Sequence, residues 1–99
     1  MRPSEILAIH RDDIKNIIKK YEPKGVKNLR LCGSVAIGTD TEESDIDFII
    51  DADRRADYFV LGSLYNELSE LLQCDIDMIP VDDLHPYIRK HMLQEAIML

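Results

Sequence analysis

Apolar residues recur at helical spacing over residues 4–21, where Ile6, Leu7, Ile14, Ile17 and Ile18 form one stripe and Ser4 is placed to cap the helix. His10 falls on or beside that stripe and reads as a core or boundary residue, since no second ligand lies at helical spacing. Glu22-Pro23-Lys24-Gly25 breaks the helix. The apolar run at residues 29–32 (LRLC) predicts a strand entering Gly33-Ser34 and a short helical turn through Ala36 that Gly38 ends. A polar loop over residues 39–44 carries the chain to a second strand at residues 45–51 (DIDFIID). Asp57 can cap a helix running to about Gln73, whose stripe of Leu61, Leu64, Tyr65, Leu68, Leu71 and Leu72 has the period of core packing. A third strand is expected over residues 75–79, stopped by Pro80. Residues 81–84 connect it to a closing helix from Pro86 through about Ile97, with Ile88, Met92 and Ala96 on one side.

Strands alternating with helices predict one domain over residues 1–99, of the α+β class in two layers. The sheet is expected to be mixed, with three or more strands and helices packed mainly on one face. Ninety-nine residues suffice for a modest core and not for two domains. The formal net charge of −7 argues against an extended nucleic-acid surface, which needs clustered lysine and arginine. No apolar run approaches the roughly 20 residues that span a bilayer, so no membrane partner is expected and a cytoplasmic location is the simplest. Cys32 and Cys74 show no CxxC spacing and read as small packed residues in a reducing compartment. His85 and His91 read as capping and decorating the closing helix. Arg54 and Arg55 lie in a charged loop, where solvation is the ordinary role and contact with a nucleotide's phosphates the alternative.

The chemistry concentrates in residues 33–47, GSVAIGTDTEESDID. Side chains alternate along a strand, so Asp45 and Asp47 are expected on one face with Ile46 and Phe48 on the other. Two neighbouring carboxylates repel unless a cation sits between them, and a divalent metal reverses the penalty. Magnesium fits, because it is commonly held by one or two carboxylates together with substrate phosphates. Gly33 allows close backbone approach to those phosphates, and the Ser34 hydroxyl with the next amides can donate to them. Asp77 can complete a three-carboxylate site if its strand lies beside the second one; flanked by Ile76, Met78 and Ile79, it would be costly to bury without a partner. Asp75 reads as a solvated turn residue. A Walker-type phosphate site is not expected, as no GxxxxGK[ST] is present.

The Gly-Ser pair, the Asp-x-Asp ten residues on and the later aspartate together resemble the nucleotidyltransferase superfamily of DNA polymerase beta-like enzymes. The chain is similar in particular to minimal nucleotidyltransferase (MNT) domains, antitoxins that accompany HEPN-domain toxins. The likeness runs through the leading helix, NLRLCGS, SDIDFIID, the leucine-striped helix, DIDMI and the closing LHPYIRKHMLQEAI. It implies the nucleotidyltransferase fold, with Gly33 and Ser34 as the phosphate-contacting pair, Asp45 and Asp47 as paired metal ligands and Asp77 as the third carboxylate on the nucleophile side. The family's usual aromatic-Ala-Arg-Gly is Val35-Ala36-Ile37-Gly38 here, without the arginine.

The expected reaction is attack on the α-phosphorus of ATP with loss of pyrophosphate, assisted by two magnesium ions bridged by Asp45 and Asp47. Only 22 residues follow Asp77, so the acceptor must come from a partner. The resemblance implies a HEPN toxin as that partner and AMP transfer to one of its tyrosines. The alternative is a catalytically weak or inert antitoxin that neutralises its toxin by occlusion, its acidic surface suited to a basic groove.

Overall fold

The computed structural model describes residues 1–99. Helix α1 (Pro3–Ile9) and helix α2 (Arg11–Tyr21) precede a 3-10 turn, Glu22–Lys24, and strand β1 (Val26–Cys32). A short helix α3 (Gly33–Ile37) leads by a loop to β2 (Ile46–Ala52), then α4 (Tyr58–Leu72) and β3 (Ile76–Pro80). A second 3-10 turn, Val81–Asp83, leads to α5 (Pro86–Glu95) and a two-residue β4 (Ile97–Met98). The sheet order is β3-β2-β1-β4, with β2 and β3 parallel and the other two pairs antiparallel. This is the mixed α+β sheet of three or more strands that the sequence predicts, with the short β4 as its fourth. No helix is long and apolar enough to cross a membrane.

Alternation along β2 sorts its residues between two faces. Ile46, Phe48 and Ile50 join the main core with Ile14 and Ile18 of α2 and Leu64 and Leu68 of α4. Leu7 brings α1 to the same face, whereas no residue of α5 belongs to that cluster. Asp47, Ile49 and Asp51 therefore share the other face, while α5 packs against α3 and β1. Phe48 is fully buried, and Phe48→Ala is expected to lower stability by about 3–5 kcal/mol, readable as an earlier urea midpoint with an unchanged slope.

The expected single helix over residues 4–21 is two helices, because the chain leaves helical geometry at His10 (φ −101°, ψ 13°). The buried stripe jumps from Leu7 to Ile14, so packing requires no continuous helix between them, and Asp12 and Asp13 favour a new N-terminus. Ser4 is inside α1 and caps nothing; its backbone N–H donates to Asp40 at 3.0 Å. Strand β1 starts earlier than expected, at Val26, and bulges between Lys27 and Arg30, where Asn28 adopts φ 56°. Asp57 caps α4 as expected, accepting from the Val60 N–H at 2.9 Å. Within the α4 stripe Leu64, Leu68 and Leu72 are buried, while Tyr65 lies at its exposed margin. The closing helix ends at Glu95 rather than about Ile97, since Ile97 and Met98 pair with Leu31 and Arg30 as the edge strand. His85 caps α5 by accepting from the Tyr87 N–H at 3.3 Å, and His91 sits on its surface beside Glu95. His10 is a boundary residue beside Asp13, and both cysteines are free, Cys32 buried and Cys74 half-buried.

Candidate active site

The register of the sheet assembles the acidic residues. Asp47 lies opposite Cys32 of β1 on one side and opposite Asp77 of β3 on the other. Asp45 immediately precedes β2, so it meets the site from the strand's start rather than from within the ladder. Asp75 likewise precedes β3 and contributes a carbonyl, which accepts from the Ile46 N–H at 3.0 Å. Asp77 is exposed, so the cost of burying a charge is not what marks it out; its register with Asp47 is.

Asp47 is half-buried, and its carboxyl is pushed up from the usual carboxylate range by burial, then by the charges of Asp77 and Asp45 and a hydrogen bond shared with Asp77. Four residues further along the strand and on the same face, Asp51 meets the opposite environment. Arg30 reaches it in a two-pronged pair (Nη1 to Oδ1 3.1 Å, Nη2 to Oδ2 3.3 Å), and Asn28 Nδ2 adds 2.6 Å. Those donors, Arg30 first, hold the Asp51 carboxyl below its usual range. One strand face thus carries a neutralised aspartate at one end and, beyond Ile49, one surrounded by like charge. No three His, Cys, Asp or Glu side chains are arranged to enclose a metal ion by themselves. The donor set fits magnesium nonetheless, because hard oxygens without a cationic partner suit an ion that draws its remaining ligands from water and phosphate.

Gly33 closes this arrangement on the β1 side. Its φ of +70° is a left-handed conformation, and a Cβ placed there would land on Asp47 Oδ2, with Asp47 Cγ at 3.3 Å. The turn therefore approaches the carboxylate as closely as a backbone can. Ser34 follows at the N-terminal end of α3, whose amides point away from the helix and can receive phosphate oxygens. Gly38 (φ +77°) ends α3, and the Thr39 N–H returns to Ser34 O at 2.9 Å. Ile37, in the place of the family's arginine, is exposed on this turn. The Cys32 thiol donates to Asp47 O at 3.5 Å, and its pKa is pushed up to about 11, by burial first and then by Asp47, so it is a neutral thiol at neutral pH.

Arg55 lies away from these carboxylates. It pairs with Asp53 at 2.8 Å and donates to Pro23 O at 3.3 Å, bracing the loop after β2 onto the first 3-10 turn; Arg54 is exposed in that loop. Cavities of about 220, 310 and 190 Å³ open elsewhere, against Leu29, Asp53 and Ile97 respectively. None contains Gly33, Asp45, Asp47 or Asp77; Asp45 and Asp77 are exposed and Asp47 is half-buried, so charge marks this place better than concavity does. Sequence reasoning gave Asp40 no role, since an aspartate in a polar loop looks solvated, yet it is buried.

Comparison with known proteins follows the same lines. The family model of polymerase beta nucleotidyltransferases matches residues 12–99. A Methanocaldococcus jannaschii protein designated a candidate protein adenylyltransferase is 37% identical over 95 residues, spanning 95% of this chain and 94% of its own length. The solved structure of a candidate minimal nucleotidyltransferase superposes with a TM-score of 0.81 at 28% identity, over 94% of this chain and 95% of that one. The fold is also shared with a structure of a tri-AMPylated Shewanella oneidensis HEPN toxin in complex with its MNT antitoxin, at a TM-score of 0.67 and 18% identity, covering 92% of this chain and 69% of that one.

Proposed function

The chain belongs to the polymerase beta nucleotidyltransferase family, as a minimal nucleotidyltransferase domain, and from that premise we propose that it transfers AMP from ATP to a tyrosine hydroxyl of a HEPN-domain toxin. The observation that carries this reading is Asp47, set in register with Asp77, touched by the Gly33 turn and surrounded only by like charge. A chain that keeps such a group unneutralised, while pairing Asp51 on the same face with Arg30, is built to receive a cation from outside.

Gly33 and Ser34 take the triphosphate through backbone amides and the serine hydroxyl, setting the α-phosphorus against the carboxylate face. Asp45, Asp47 and Asp77 would hold magnesium, which would supply positive charge for the attacking and leaving oxygens. The tyrosine oxygen bonds to the α-phosphorus as the bond to pyrophosphate breaks, and the phenolic proton passes to solvent, its loss favoured by the Asp77 carboxylate. The open setting of the carboxylates supports an acceptor presented by another protein. The designation of the M. jannaschii relative as a candidate protein adenylyltransferase supports the same class of acceptor.

Intact-mass measurement of a co-expressed HEPN partner tests this. One or more AMP-sized increments, dependent on Asp47, are expected; an unmodified partner in the presence of magnesium and ATP overturns it. The exposed site and the exchange of arginine for Ile37 favour a second reading, neutralisation by occlusion. An Asp45→Asn, Asp47→Asn double variant separates the two, because it still protects cells under occlusion and fails under transfer.

A further inference from the structure

Asp40 is the one charged side chain among the buried residues, at 5% exposure, and it lies in the loop between α3 and β2. Its Oδ2 accepts the backbone N–H of Ser4 at 3.0 Å, across 36 residues of sequence. That amide belongs to the first turn of α1, where no helical partner exists for it. The rest of the loop bonds within itself and back to α3, and reaches further only by an exposed ion pair between Glu42 Oε1 and the Met1 amino group at 3.7 Å, a contact that constrains little. On one side the Thr39 N–H returns to Ser34 O at 2.9 Å; on the other the Thr41 N–H donates to Ser44 Oγ at 2.8 Å and the Ser44 N–H to Thr41 O at 3.0 Å. Asp40 sits between these two turns. The first carries Gly33 and Ser34, and the second delivers Asp45.

We infer that the Asp40 clasp on α1 is a positioning device, fixing the Gly33-Ser34 turn and the Asp45-Asp47 carboxylates at the separation that a metal-bound triphosphate requires. This rests on the functional reading above, and it also gives α1 a role, since that helix precedes residues 12–99 matched by the family model. Asp40 touches no reacting atom, so it is a positioning residue. A loop of six residues between two ligand-bearing elements loses precision unless something outside it holds it, and an ångström of misplacement is enough to cost much of the rate. Ser4 and Asp40 supply that hold through a charge-assisted hydrogen bond sheltered from water. The same bond from the Ser4 amide keeps the Asp40 carboxyl below its usual range, so it accepts at neutral pH.

The test uses the full chain and two readouts, amide hydrogen exchange and calorimetric binding of magnesium-ATP. In Asp40→Ala, exchange at Thr39, Thr41 and Ser44 is expected to quicken about tenfold and the nucleotide affinity to fall about tenfold, with Leu31 and Phe48 exchanging as before. Asp40→Asn keeps an oxygen acceptor and is expected to restore both. Unchanged loop exchange in the alanine variant overturns the inference, as does faster exchange throughout β1 and β2 with unaltered affinity, which marks a merely structural contact. Absence of magnesium-ATP binding by the parent chain would instead count against the functional reading, and the exchange measurement would still decide whether the clasp holds the loop.

Discussion

Asp47→Asn is expected to reduce nucleotidyl transfer by about 100-fold or more while making the folded chain more stable. The loss follows from the proposed role of Asp47 in holding the cation that offsets charge on the transferred phosphate, and losing one preorganised electrostatic group costs about 10²–10³ in rate. The gain follows from the environment of that carboxylate, which burial and the charges of Asp77 and Asp45 disfavour in its ionised form. An unfolded aspartate titrates at about 3.9, and the folded value is raised above it. Below the unfolded value both states are protonated and the penalty is absent. Between the two values the folded state binds more protons, so stability falls as pH rises through the raised value, and it stays low at neutral pH. The variant escapes that fall. Thermal unfolding should therefore show the two proteins converging near pH 3 and the variant more stable at pH 7, with magnesium stabilising the parent and not the variant. Equal stability at pH 7 would show that Asp47 already has a cationic partner. The same substitution at Asp51 should do the reverse, since Arg30 would lose its partner.

Gly33→Val is expected to abolish transfer as well, and to destabilise. A β-branched residue at φ +70° incurs roughly 1–2 kcal/mol of backbone strain. Its Cβ would in addition fall on Asp47 Oδ2, a charged oxygen that must then leave the site or force the strand aside. Activity and stability therefore fall together, in contrast to Asp47→Asn. The two effects are separable by a double-mutant cycle on stability. Gly33→Ala should cost less in an Asp47→Ala background, by roughly 0.5–3 kcal/mol, because the atoms it collides with are gone. Additive costs would mean that the turn and the carboxylate do not meet.

Much of this site is legible in the sequence, for physical reasons that also define where legibility stops. The Gly-Ser turn and the DIDFIID strand are local patterns: a glycine where the backbone reverses, and a period of two that puts Ile46, Phe48 and Ile50 into the core. The capping of α4 by Asp57 and of α5 by His85 is local in the same sense. The pairing of Asp77 with Asp47 is non-local. Sequence makes Asp77 a candidate, and only the parallel register of β2 and β3 places it, on an exposed position where the burial argument has no force. Strand β4 offers two residues, too few for any period. The break at His10 leaves the apolar stripe intact on both sides, so the stripe cannot report it. The Asp40 clasp joins residues 36 apart through a backbone amide, which no side-chain pattern records.

Asp47 and its neighbours are proposed to serve a transfer in which AMP, not phosphate, moves to a protein acceptor. The test is to incubate the purified chain with a HEPN-domain protein, magnesium and ATP labelled at either the α- or the γ-phosphate. Label is expected in the HEPN-domain protein from the α position only, and absent with Asp47→Asn. Label from the γ position, or none from either with a folded, partner-bound chain, would contradict it.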